Sequence, residues 1–452
     1  MSTLIEQPRF SCALAAQQTV LAIPRGIPII HAGPGCSTKA FNFTSHNLGF
    51  QGEGYAGGAH ISATNAGEEE VVFGGENKLH NTIDGALQVM DGDLFVALTG
   101  CPAGIIGDDV YAVAKEFAEE GKPVVGVETA GFKGNHYFGH EAVLEGIIEQ
   151  FIGDVQPQVK KGYVNVFASV PYQDPYWRGD FNEIKRVLER IGLKVNILFG
   201  EGSQGISEWR DIPNAQFNLL ISPWVGLNTV KLLEDKYKTP YLHYPVFPVG
   251  AQETSKFLRS VSEYAGLDKE KTEKVIDEEE NKFYSYFTSL ADFFGEYKSK
   301  LPSELYVVAD SLYAIGTANY LINELGFIGK GVYVVDDPSP ENEERIKKIY
   351  ADTTDEYKDI LIVEADGGLI EKDIREKIGD SKKALILGSQ WEKFIADDTK
   401  NLSVYLSAPS NHTVILNRTY AGYTGGLRLL EDAYSSLFSR KDVNPRAQLF
   451  LE

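Results

Sequence analysis

Cysteine is scarce in this sequence and crowded toward one end. Cys12, Cys36 and Cys101 fall in the first 101 of 452 residues, and no other follows. An odd, sparse count in a large chain excludes a disulfide framework. Positive charge is also short: 43 Lys and Arg stand against 64 Asp and Glu, for a net charge of −21. Nucleic acid and anionic membranes would be repelled, so neither is expected as a partner. No apolar run approaches the roughly 20 residues of a membrane-spanning helix. The opening stretch MSTLIEQPRFSCALAAQQTV has no basic region leading into an apolar run, so a cytoplasmic location is expected. A phosphate loop is missing too. GFIGKG (326–331) lacks the required spacing, so any ATP used would be bound by another polypeptide.

What is present is strand–helix alternation along the whole chain, the signature of α/β units on parallel sheets. GIPIIHAG, DLFVALTG and KPVVGVETAG read as buried strands of a first unit, with DVYAVAKEFAEEG a helix between the last two. YVNVFASVP, LKVNILFG, FNLLISPW and TPYLHYPV supply a second, with DFNEIKRVLERIG as a helix capped by Asp180. ELYVVAD, GVYVVDD, DILIVEAD and KALILGS supply a third. The expected fold is therefore α/β, with three Rossmann-like, doubly wound parallel-sheet domains. The predicted divisions are 1–158 (carrying the cysteines), 159–300, 301–410, and a C-terminal helical segment, 411–452, packing back on the body. The acidic stretch LDKEKTEKVIDEEE (267–280) reads as a solvated helix.

In open α/β sheets ligands gather beyond the carboxyl ends of the strands. Cys36 closes the turn HAGPGC directly after one predicted strand, and Cys101 opens TGCPAGIIGDD after another. Buried core thiols are the plain alternative, but glycine-flanked cysteines at strand ends are poorly explained by core packing. A shared metal site fits them better. Four ligands complete a zinc site or a cubane cluster, and here three come from separate loops. The set is incomplete, so a ligand of another type or a second subunit must finish it. Other motifs carry less. GEGYAG (52–57) follows no strand, and GEGSQG (200–205) lacks the acidic residue of a dinucleotide fingerprint. His136 and His140 are four apart, but Gly134 and Gly139 predict a loop running into a helix rather than a two-histidine metal face.

The cysteine contexts FSCALAAQQTV, HAGPGC and TGCPAGIIGDDV resemble those of the three cluster cysteines in nitrogenase component 1 subunits. EEEVVFGGENKL (68–79) resembles the family's VFGG segment. DPYWRGDFNEIKRVLERIGLKV, NLLISPW, KYKTPYLHYPVFPVGAQETSKFLR, LYVVADSLYAIG, ILGSQWEKFIA and NRTYAGYTGGLRLLED are similar in order and spacing. The resemblance implies three Rossmann-like domains and an α₂β₂ assembly. It also implies an [8Fe–7S] P-cluster held between two subunits by three cysteines from each, here Cys12, Cys36 and Cys101. Electrons would come from a separate ATP-hydrolysing iron protein.

An α-type chain of the family holds its own cofactor through one cysteine and one histidine. The matching positions here fall near Ser222 and Asn417–Arg418, so neither ligand is present. The resemblance therefore implies a β-like oxidoreductase subunit that relays electrons to an α-like partner. His140 sits where α-type chains place a catalytic histidine. The long N-terminal extension of the classical β subunit is absent, which leaves the substrate open, N₂ or a related molecule. The alternatives are a cofactor-assembly scaffold, or a reductase of a tetrapyrrole or sulfur compound using a [4Fe–4S] cluster, and the partner is either a second copy or a different chain.

Overall fold

A computed structural model describes residues 5–52 and 61–438. Among them, strands make three sheets, each wholly parallel. The first holds β1 (Gly26–His31), β2 (Ser62–Ala63), β3 (Leu94–Thr99) and β4 (Val124–Val127), in the order β2–β1–β3–β4. The second holds β5 (Lys160–Phe167), β6 (Lys194–Asn196), β7 (Ala215–Ile221) and β8 (Tyr241–Tyr244), in the order β6–β5–β7–β8. The third holds β9 (Glu304–Ala309), β10 (Ile328–Val334), β11 (Leu361–Val363), β12 (Ala384–Gly388) and β13 (Leu402–Tyr405). Its order is β11–β10–β9–β12–β13. Each order reverses direction beside its first strand, which is the doubly wound arrangement expected from the sequence.

Every residue of β1, β3 and β4 is buried. This is why those strands read as continuous apolar runs: helices cover both faces of a parallel sheet. One apolar cluster runs from Leu14 through Phe217 and Leu305 to Leu437, so the three sheets share a core. The Gly422–Ser435 helix lies against the Gly250–Ala265 and Trp177–Arg190 helices.

Three local expectations are corrected. Asp180 does not cap its helix, which begins at Trp177, with Asp180 inside the first turn. Buried Tyr176 and Trp177 anchor that start. The Asp180 carboxylate instead serves the C-terminal segment and the third unit. It accepts from Thr419 Oγ1 at 2.7 Å, from the backbone amides of Tyr420 at 3.1 Å and Ala421 at 3.3 Å, and from the Tyr313 hydroxyl. His136 and His140 both lie on a helix, His136–Gly146, capped by the Asn135 side chain. Gly139 belongs in that helix because a Cβ there would stand 2.0 Å from the Ala13 carbonyl oxygen. The acidic stretch is a helix, Lys269–Ser289, but it is not solvated all round, since buried Glu279 accepts from Arg186 and Arg190. Of GEGYAG, residues 53–57 lie outside the described residues. GEGSQG is a turn between β6 and the short Ile206–Arg210 helix.

Removing the Asp180 carboxylate strands several buried donors at once, each worth about 1–3 kcal/mol. Asp180→Ala is expected to lower folding stability by about 3–5 kcal/mol in urea denaturation; a loss below about 1 kcal/mol would show that the hub is not stabilising.

Candidate metal centre

Neighbouring parallel strands build the site. β1 and β3 pair along their whole length, ending with His31 opposite Thr99, so the chain leaves both at the same edge of the sheet. After β1 the Gly-Pro-Gly turn leads into the Gly35–Asn42 helix, whose second residue is Cys36. The Cys36 amide donates to Gly33 O at 3.3 Å, and its carbonyl accepts from Gln17 Nε2 at 3.3 Å. After β3, Cys101 is the first residue of the Cys101–Ile106 helix, with Pro102 fixing the first turn. Two of the three thiols thus sit at helix N-termini, where backbone N–H groups favour negative charge.

Cys12 arrives separately. It precedes a single turn at Ala13–Ala15 and forms an antiparallel bridge with Asn135. The Ser11 amide donates to His136 Nδ1 at 3.0 Å, and the Ala13 amide to Gly134 O at 3.0 Å. These bonds carry Cys12 to the loop after β4. There Gly131 marks the point of convergence. A Cβ on it would stand 3.1 Å from Cys101 Sγ, 3.4 Å from Cys12 Sγ and 3.0 Å from Cys12 Cβ. Cys12 and Cys101 are exposed and form no disulfide. Cys36 is half-buried in the first turn of the Gly35–Asn42 helix. Among the described residues no group of three or more Cys, His, Asp or Glu is arranged to hold a metal ion by itself. The structure brings together two of the three predicted ligands, Cys12 and Cys101, and places the third, Cys36, in the helix that follows the neighbouring strand β1.

Two features escaped the sequence reading. His31, in HAGPGC, is fully buried, with Nε2 2.8 Å from Asp108 Oδ2 and Nδ1 3.1 Å from Thr64 Oγ1. Asp108 also accepts from the Gly75 amide at 3.0 Å, which ties the VFGG turn down beside the cysteine loops. A histidine ending an apolar strand, with Gly-Gly between two helices and Asp just after the Cys101–Ile106 helix, was the available signal. The other feature is an apolar rim. Val72 and Phe73 are 69% and 84% exposed, Ile105 75% and Phe132 60%. The Glu68–Phe73 helix lies against the Cys101–Ile106 helix, and the Phe132 ring lies over Gly104.

His140 is buried, its Nδ1 2.9 Å from Thr19 Oγ1. Burial pushes its pKa down to about 3; burial and then the charge of His140 do the same to His136. Ser222 lines a cavity of about 10 Å³ with Tyr137, Asp174, Asp310 and Asp336, between the second and third sheets. That is room for about one water. Burial, then the charge of Asp336, holds the Asp310 carboxyl above the usual carboxylate range; Asp174 is raised by burial and by Asp310. Asn417 accepts from Asn182, and Arg418 pairs with Asp432 at 3.6 Å. A larger cavity of about 570 Å³, lined by Phe283, Tyr286, Leu427, Tyr434 and Phe438, includes none of the cysteines.

The family model described as nitrogenase component 1 type oxidoreductase matches residues 11–438. The chain belongs to that family. Within it, the chain is 26% identical to the nitrogenase molybdenum-iron protein alpha chain of Methanothermobacter thermautotrophicus, over 95% of this chain and 87% of the relative. It is 24% identical to the molybdenum-iron protein beta chain of Methanococcus maripaludis, over 82% of this chain and 86% of that one. It is also 24% identical to the iron-molybdenum cofactor biosynthesis protein NifE of a Nostoc species, over 83% and 73%. A solved structure of nitrogenase Cp1 at pH 6.5 superposes with a TM-score of 0.77 at 20% identity, covering 97% of this chain and 94% of that chain. Relatives of component 1 type therefore include both subunit kinds and an assembly protein.

The thiols fit an iron–sulfur group. Two exposed sulfurs flank a glycine with no side chain to fill the space between them, and thiolates are the usual cluster ligands. In Gly131→Ala the added methyl is expected to cut iron incorporation about 10- to 100-fold, with folding stability changed by no more than about 1 kcal/mol. Iron assay beside thermal melting checks this, and full loading would show that the thiols do not close on that point. A second expectation concerns Asp310. Its folded pKa lies above the ordinary value of 3.8, so the folded state keeps a proton that the unfolded chain releases. Stability is therefore lost as pH rises from about 4 through the folded value. Asp310→Asn can still accept from the Tyr313 amide, and its gain in urea midpoint over wild type is expected to grow from about pH 5 to about pH 8. A pH-independent difference would contradict the protonated state.

Proposed function

We propose that the chain is the β-like subunit of a nitrogenase-like oxidoreductase, with Cys12, Cys36 and Cys101 as its half of an iron–sulfur P-cluster shared with an α-like subunit. The observation that carries this reading is the convergence of Cys12 and Cys101 on Gly131 at an exposed face rimmed by Phe73, Ile105 and Phe132. When bound, such a cluster supplies one-electron storage between an electron donor and the partner's cofactor. The chain's own residues do the rest. Cys36 and Cys101 ligate from helix N-termini and Cys12 from its bridge to Asn135, Gly131 keeps space open beside Cys12 and Cys101, and the apolar rim excludes water once covered. An ATP-hydrolysing iron protein is the proposed electron donor, since the chain has no phosphate loop.

The β-like assignment is supported by the place where an α-type chain would hold its cofactor. Ser222 stands near where the resemblance puts that cysteine ligand, it lines a cavity of about 10 Å³, and His140 is enclosed by packing and bonded to Thr19. Ligand sites are usually tens of times larger, about 300–1,000 Å³. The NifE likeness keeps a second reading in place, a scaffold that binds an immature cluster.

The test is anaerobic co-purification with the α-like partner. A P-cluster subunit is expected to give about eight iron atoms per pair beyond those of the partner's own cofactor, against about four beyond it for a [4Fe–4S] reductase or scaffold. Cys36→Ala is expected to lower both the iron content and the fraction assembled with the partner. A colourless wild-type complex, with assembly and stability unchanged in Cys36→Ala, would sink the cluster assignment.

A further inference from the structure

Cys101 and Cys36 are held by the sheet of the first unit, because each directly follows one of its strands. Cys12 precedes that sheet, and the segment leading to it is fastened elsewhere. Glu6 O accepts from the Gly367 amide at 2.8 Å, and Gln7 Nε2 donates to Glu371 Oε2 at 3.0 Å. Gly367 and Gly368 leave room for this strap: a Cβ on either would stand 2.7 Å from Gln7 Cβ or 2.5 Å from Glu6 Oε2. Arg9 is the main fastening. Its guanidinium donates to Glu392 Oε1 at 2.6 Å, Glu392 Oε2 at 2.9 Å and Ser389 Oγ at 2.7 Å, and it lies 4.4 Å from the Trp391 ring centre. Both charged side chains are only 2% exposed. Ser389 and Glu392 form the capping box of the Gln390–Thr399 helix, so the pair is anchored in rigid backbone.

Residues 9 to 12 therefore cross the seam between the third unit and the first. On the far side the loop that receives Cys12 is tied back to the same unit, since Asn135 Nδ2 donates to Asp336 O at 3.1 Å. We infer that Arg9 is a positioning residue, and that its buried clasp with Glu392 sets where the Cys12 sulfur stands relative to Cys101. The third unit, which contributes no cysteine, thereby governs the ligand pair. A buried bidentate Arg–carboxylate pair suits this role because it fixes direction as well as distance. The inference takes from the proposed function only that Cys12 and Cys101 act as a pair.

A dithiol probe tests it on the full, metal-free chain. Phenylarsine oxide exchanges its As–O bond for two As–S bonds and releases water, with no change in oxidation state, and binds tightly only where two thiols can meet. Wild type is expected to bind about one equivalent, lost in Cys12→Ala and in Cys101→Ala. Removing one partner of a buried ion pair can unfold a protein, whereas replacing both by apolar residues is often tolerated. The variants are therefore Arg9→Met with Glu392→Leu together, and Arg9→Lys. Affinity for the arsenical is expected to fall about 10- to 100-fold in the double variant, the range for an outer residue that orients a ligand, and to recover partly in Arg9→Lys. Wild-type affinity in a folded double variant overturns the inference, as does a wild-type chain that binds no arsenical. Hydrogen exchange on the unaltered chain gives an answer even if the variants do not fold. Residues 9–13 are expected to exchange together with 389–392, and exchange independent of that segment overturns the clasp. Iron failing to load into wild type while arsenical binding still depends on Arg9 would remove the cluster assignment and leave this inference standing.

Discussion

The parallel pairing of β1 with β3 is the constraint on which the cysteine site rests. Because both strands run in one direction and end in register, the turns that follow them open at the same edge. An antiparallel pair would have sent Cys36 and Cys101 to opposite ends of the sheet. β4, pairing on the other side of β3, then sets the Gly131 loop beside them. Of the three cysteines, the one this geometry does not place is Cys12, which lies ahead of β1 in the chain. It reaches the edge through the bridge to Asn135 and the bonds of Ser11 and Ala13.

Charge buried at seams does a second job in this fold. The three sheets share one apolar core, which gives cohesion but little direction. Direction comes from polar hubs. Asp180 gathers donors from the third unit and the C-terminal segment, Arg9 meets Glu392, and Asp336 accepts from Trp224 Nε1 at 2.8 Å across the second and third sheets. Each such group is expensive to bury alone, so each is satisfied only in one relative placement of the units. In the central crevice burial and neighbouring carboxylates raise Asp174 and Asp310 above the usual carboxylate range, which eases the same expense.

Periodicity and turn chemistry made much of this readable in advance. Runs such as DLFVALTG and KALILGS are continuous because both faces are covered, and their glycine or serine ends mark the edge where ligands gather. The doubly wound arrangement and the placement of Cys36 and Cys101 at strand ends followed from that. The convergence of Cys12 with Cys101 did not, because 89 residues separate them and no local pattern encodes which loops meet. Asp180 looked like a cap because Asp is a good one, but donors distant in sequence claimed its carboxylate. Gly139 looked like a helix breaker, and the Ala13 backbone that requires it lies across the fold. Arg9 and Glu392 are 383 residues apart and meet only through tertiary structure.

The rim around the thiols bears on how the protein is made. Phe73, Ile105 and Phe132 are side chains of the kind that leave water when the chance arises, and here they surround sulfurs that oxidise readily when exposed. A newly folded copy thus carries exposed apolar side chains and exposed thiols in the same place. On the proposed function, covering that place would solve both problems in one event and would set an order of manufacture: fold first, then receive metal and mate together, with little time between them.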